Sequence, residues 1–197
     1  MNTHSSRRFV LVAALAAIGL AGGLSSPITA QTAGTPERYN ATAINMGSGP
    51  GMAGRVLIAV NRWTTPKERQ TLLGIVAEKG PDKLLDALQD QPSTGTIRLP
   101  NTLAWDLRYA FQSPLPEGGR RVVLATDRPI SVQEAIRNPR TTDYPYTLIE
   151  IRFDKNGVGV GKMSVATKIT MSKDKQTMEL ENFGIEPVRL TEVRIEK

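Results

Sequence analysis

The sequence predicts a mainly β domain of the α+β type, with about eight antiparallel strands forming a small barrel or a two-sheet sandwich. A helical hairpin at about 66–90 and one short helix at about 131–138 accompany the strands. Three observations carry this reading. Apolar and polar residues alternate with a period of two from Leu103 to Gln112. Turn chemistry such as Pro116-Glu117-Gly118-Gly119 and Asp154-Lys155-Asn156-Gly157 recurs at short intervals. Two capping boxes, Thr65-Pro66-Lys67-Glu68 and Ser131-Val132-Gln133-Glu134, mark helix starts.

Taken in order, residues 1–30 have the layout of a cleavable signal peptide. Arg7 and Arg8 form a basic start, an apolar run extends from Phe9 to Leu20, and Ile28-Thr29-Ala30 precedes a mature start at Gln31. The apolar run is too short for a confident membrane anchor, so no transmembrane span is expected in the mature protein. Ser6-Arg7-Arg8-Phe9-Val10-Leu11 loosely resembles a twin-arginine export signal, which leaves the export route open. Residues 31–36 read as a flexible leader, and 37–197 as a single soluble domain exported to the periplasm or beyond.

Within that domain, 38–46 and the alternating run Val56, Ile58, Val60 form two strands of a hairpin around a glycine-rich loop at 47–54. Thr65 caps a helix carrying Leu72, Leu73, Ile75 and Val76, and Lys79-Gly80-Pro81 ends it before a second helix with Leu84, Leu85 and Leu88. In the strand at 103–112, Leu103, Trp105, Leu107, Tyr109 and Phe111 share one face, and Ala104, Asp106, Arg108, Ala110 and Gln112 the other. Strands at 120–126, 144–153, 158–171, 177–183 and 188–195 complete the count.

Composition excludes large areas of chemistry. The chain has no cysteine and a single histidine, His4, which leaves with the signal. A Ser-His-Asp or Cys-His nucleophile, an imidazole or thiolate metal site, and the usual haem or iron–sulfur ligation all go with it. No catalytic residue, cofactor or metal site is therefore assigned. No disulfide or thioether-linked lipid is available either. Lys and Arg number 25 against 19 Asp and Glu, and acids and bases are interspersed along nearly every segment. A nucleic-acid binder concentrates its cations, so nucleic acid is set aside as a partner.

Several motifs have simpler structural accounts. Gly157-Val158-Gly159-Val160-Gly161 opens no helix that could aim a dipole at a phosphate, and is expected as a close-packed strand. The turn at Asp154 lacks the glutamate a calcium loop needs, since Val165 stands there. Ser172 and Lys175 have Ser-x-x-Lys spacing in a polar turn, where the lysine would keep its proton. The candidate ligand-binding residues are Asp127, Arg128, Arg140, Asp143, Tyr144 and Tyr146. They flank a helix of two turns, which would hold the two groups within about 10–15 Å. Arginine and tyrosine make concentrated contacts with partners and anions, although Asp and Arg also cap helices near turns.

Three segments, 78–88, 124–130 and 143–150, resemble a group of uncharacterised exported bacterial proteins with no assigned function. Within them stand Glu78-Lys79-Gly80-Pro81-Asp82, Thr126-Asp127-Arg128-Pro129 and Asp143-Tyr144-Pro145-Tyr146. The resemblance implies export and a shared fold only. The leading expectation is a non-enzymatic cell-envelope domain that binds a small apolar or anionic ligand or an envelope component. Its rivals are a carboxylate-dependent hydrolase of an envelope polymer using Asp127, Asp143 or Glu150, and a protein-interaction scaffold or inhibitor.

Overall fold

A computed structural model describes residues 34–44, 53–130, 144–171, 178–182 and 187–196. The signal peptide, residues 31–33 of the leader, the short helix, Arg140 and Asp143 lie outside the described residues. Among those described, ten strands form one sheet. They are β1 (Glu37–Ile44), β2 (Ala53–Val60), β3 (Gly95–Arg98), β4 (Ala104–Leu107) and β5 (Tyr109–Pro114), then β6 (Arg120–Ala125), β7 (Tyr146–Phe153), β8 (Val158–Met171), β9 (Met178–Asn182) and β10 (Val188–Ile195). Every pairing is antiparallel, in the order β4-β3-β2-β1-β10-β8-β7-β6-β5, with β9 beside the second half of β8. None of the described helices is long and apolar enough to cross a membrane.

The two ends of that order are one stretch of chain, which rolls the sheet into a nearly closed barrel. On one edge the Leu107 carbonyl accepts from the Thr94 N–H (2.7 Å) and hydroxyl (3.0 Å). On the other, the Arg108 N–H donates to the Ala125 carbonyl at 2.8 Å. Thr64 then clamps the first edge again, donating its N–H to the Ala110 carbonyl and accepting the Ala110 N–H on its hydroxyl. The expected barrel is thus realised, with ten strands rather than about eight. The difference is β3, which was not counted, and the division of the 103–112 strand at Arg108.

That division also corrects the expected faces. Arg108 and Tyr109 together stand opposite Ala125, so the strand carries a bulge there and side-chain parity slips by one residue. Leu107 and Ala110 consequently both point into the core, while Tyr109 and Phe111 turn outward.

Side chains fill the barrel interior. Tyr39, Ala41 and Ala43 of β1, Val56, Ile58 and Val60 of β2, and Ile149, Ile151 and Phe153 of β7 are all buried in one cluster with Leu124, Met163 and Leu190. At about 25 cal/mol per Å² of apolar surface removed from water, this alternation is the main source of stability. Gly159 lies on β8 under the Phe153 ring, where a Cβ would come within 2.9 Å of the ring edge, so the glycine-rich run is close-packed strand as expected.

The helical hairpin also forms as predicted, from α1 (Pro66–Lys79), a 3₁₀ turn (Pro81–Lys83) and α2 (Leu84–Gln89). Thr65 Oγ1 accepts the Glu68 N–H while the Glu68 carboxylate accepts the Thr65 N–H, completing the capping box. Gly80 breaks the chain at φ 87°, a conformation that suits glycine. Leu72, Val76, Leu84 and Leu88 pack on the outer wall against Ala125 and Tyr146. Among the described residues, one part of the wall is therefore covered by helices and the rest is bare.

Candidate anion-binding face

The sequence-predicted residues separate into two environments. Asp127 is buried, its side chain 6% exposed, and its carboxylate accepts from Arg108 Nε at 3.1 Å and Arg128 Nε at 3.4 Å. Arg108 continues to the Gln91 carbonyl at the end of α2 (3.1 Å), so Asp127 ties the barrel corner to the helical hairpin. The Arg128 side chain is 58% exposed. Tyr146 lies under the helices, where burial and the charges of Asp82 and Asp86 push its phenol up to about 12. Tyr144 is half-buried just before β7. Asp127 and Arg128 are thus brought together, while Tyr146 serves the helix packing. Glu150, the rival hydrolase candidate, accepts from Arg152 at 3.0 Å on the outer wall.

Both barrel ends are closed by side chains. At one end Thr126 and Thr147 hold the 126–130 segment across the opening and Ile130 plugs the core. The Thr147 hydroxyl accepts the Ile130 N–H and donates to the Val165 carbonyl. At the other end Arg120 makes a two-pronged pair with Glu37, also donates to Gln112, and stacks on the Phe153 ring at 5.2 Å. Tyr39 donates its hydroxyl to the same Glu37 carboxylate at 2.6 Å. Burial raises the affinity of Glu37 for its proton, but the hydrogen bonds from Arg120 and Tyr39 and the Arg120 charge outweigh it and hold the carboxyl below its ordinary range. Trp63 closes this end further, donating its indole N–H to the Thr35 carbonyl at 3.3 Å. These groups satisfy one another.

The bare outer wall has a different character. Strand alternation, shifted by one residue at the β10 bulge between Leu190 and Val193, turns Arg38, Asn40 and Thr42 of β1 outward, with Arg55, Leu57 and Ala59 of β2, Thr96 and Arg98 of β3, Arg189, Thr191 and Arg194 of β10, and Lys162 of β8. The register makes rows of them: Arg98 stands opposite Leu57, Leu57 opposite Asn40, and Asn40 opposite Arg194. Thr42 lies between Arg55 and Thr191, and Arg189 faces Lys162. None of the six exposed cations Arg38, Arg55, Arg98, Lys162, Arg189 and Arg194 forms an ion pair among the described residues. Glu192, at the β10 bulge, and Glu196 are the carboxylates nearest them in β10 and its continuation.

A shallow groove of about 240 Å³ opens on this wall, lined by Arg38, Leu57, Ala59, Thr96, Arg98 and Glu196 among others. Two arginines beside a small apolar floor can hold a carboxylate or phosphate through paired N–H donors. Like charges directly across a strand pair destabilise it, as Arg189 and Lys162 do here, although Lys162 also has Glu150 opposite it on β7. Sequence reasoning missed the face because it weighed the cations along the chain, where acids intervene. The available signal was the period of two, which places Arg38, Arg55, Arg98 and Arg189 on the side opposite each strand's buried residues, while Arg194 joins them only through the β10 bulge between Leu190 and Val193.

Among the described residues, no group of three or more acidic, cysteine or histidine side chains is gathered to hold a metal ion. No protein-family model, curated protein or solved structure matches the chain.

Proposed function

We propose that this chain is a non-catalytic binding domain of the bacterial cell envelope, exported through residues 1–30, that holds an anionic ligand on the outer wall of β1, β2, β3 and β10. One observation carries the reading: six exposed cations without ion-pair partners among the described residues share one wall that the helices leave uncovered, around a groove flanked by Arg38 and Arg98. The packed barrel interior supports an external site over an internal apolar one. Export itself is tested by the mass of the secreted protein, which should begin at Gln31.

The binding test is calorimetric titration with inorganic pyrophosphate at low ionic strength. Removing both groove arginines, R38A/R98A, should weaken binding by about tenfold or more, the loss expected for charge-assisted hydrogen bonds. R128A should leave it unchanged. The opposite pattern would move the site to the 127–146 segment and overturn the assignment to the sheet wall.

A further inference from the structure

The cations extend well beyond what one small anion can reach. Arg98 on β3 and Arg194 on β10 lie in one row three strand spacings apart, about 14 Å. Arg189 and Arg194 are separated along β10 by about 16 Å at the usual rise per residue. A single carboxylate or phosphate at the groove would engage Arg38 and Arg98 and leave Arg55, Arg189 and Arg194 without an anion, whereas Lys162 has Glu150 across the strand pair. The spaces between the cations are filled by hydrogen-bonding groups, Asn40, Thr42, Thr96 and Thr191. Outward positions here carry no aromatic side chain on which bases could stack. A barrel wall is also convex, and a flexible chain can follow it where a flat bilayer touches only a narrow strip.

We infer that the occupant of this face is a linear acidic polysaccharide lying across β3, β2, β1 and β10, its carboxylates on the arginines and its hydroxyls on the intervening Asn and Thr side chains. The inference rests on the anion-binding reading above and gives it a substrate class. Glu192 and Glu196 repel the polymer locally and bound its path.

The experiment compares an alginate dimer, hexamer and decamer with inorganic pyrophosphate, using the full mature chain and the triple variant R55A/R189A/R194A. All three substituted residues are exposed, so an unchanged unfolding midpoint will confirm that the variant is folded. The hexamer should bind at least about tenfold tighter than the dimer, because each added carboxylate meets a cation already held nearby. The triple variant should lose that gain and still bind pyrophosphate at the groove. Equal affinity for dimer and decamer, with pyrophosphate binding intact, would overturn the polymer and leave the anion site standing. Failure to bind either probe would remove both. Tighter binding to phosphatidylglycerol vesicles or oligothymidylate than to the decamer would overturn the polysaccharide and reassign the face.

Discussion

The covered and bare parts of the outer wall follow the same alternation and differ only in what the outward positions carry. Under the helices these are Tyr109, Ala125, Tyr146 and Leu148, which pack against Leu72, Val76, Leu84 and Leu88. On the bare side they are arginine, lysine, threonine and asparagine. The first set stabilises the fold by burial. The second adds little to it, since the like-charged pair of Arg189 and Lys162 is set against Glu150 on the other side of Lys162. Outward residue type therefore distinguishes the wall the helices cover from the one they leave uncovered.

Substitutions should separate the two walls sharply. Leu88→Ala, which empties a buried position between α2 and the covered wall, should cost about 2–5 kcal/mol in chemical denaturation. Arg194→Ala on the bare wall should stay within about 0.5 kcal/mol. Comparable losses would erase the distinction. Asp127→Ala removes the link between the barrel corner and the end of α2, leaves a mostly buried Arg108 without its main partner, and should cost about 1–3 kcal/mol.

A pH profile sharpens the comparison further. Because the Glu37 carboxyl titrates below its ordinary value of 4.5 in the folded chain, its contribution is full above that pH and is lost as the pH falls below it. Acid unfolding followed by circular dichroism should show this loss in the parent and a flatter profile in Glu37→Gln. An equally steep profile in the variant would assign the acid sensitivity elsewhere. The smallest effect belongs to the bare wall. Arg189→Glu replaces a like-charged cross-strand pair with an opposite one, and should raise stability by about 0.2–1 kcal/mol while weakening alginate binding.

Most of the fold was legible because strand alternation and capping are local. Thr65 and Glu68 specify their capping box within four residues, and Asp154 caps its own turn by accepting from the Asn156 and Val158 N–H groups. The bulge at Arg108 was not legible, since it arises where one strand changes partners from β3 to β6, a consequence of barrel closure. The short β3, four residues long, gives too brief a period to stand out. Of the candidate site, clustering near Asp127 picked out a real ion-pair centre that tethers a corner. The basic wall required pairing register, which brings Arg98, Arg55, Arg189 and Arg194 together from three strands.

The most direct test of the central claim is to map the contact itself by following backbone amide shifts of the isotopically labelled chain during titration with the alginate hexamer. Shifts concentrated at Arg38–Thr42, Arg55–Ala59, Thr96–Arg98 and Arg189–Arg194, with the helical residues Leu72 to Leu88 unmoved, are what a ligand on the bare wall produces. Shifts centred on Asp127, Arg128 and Tyr144, or on the helices, would contradict it.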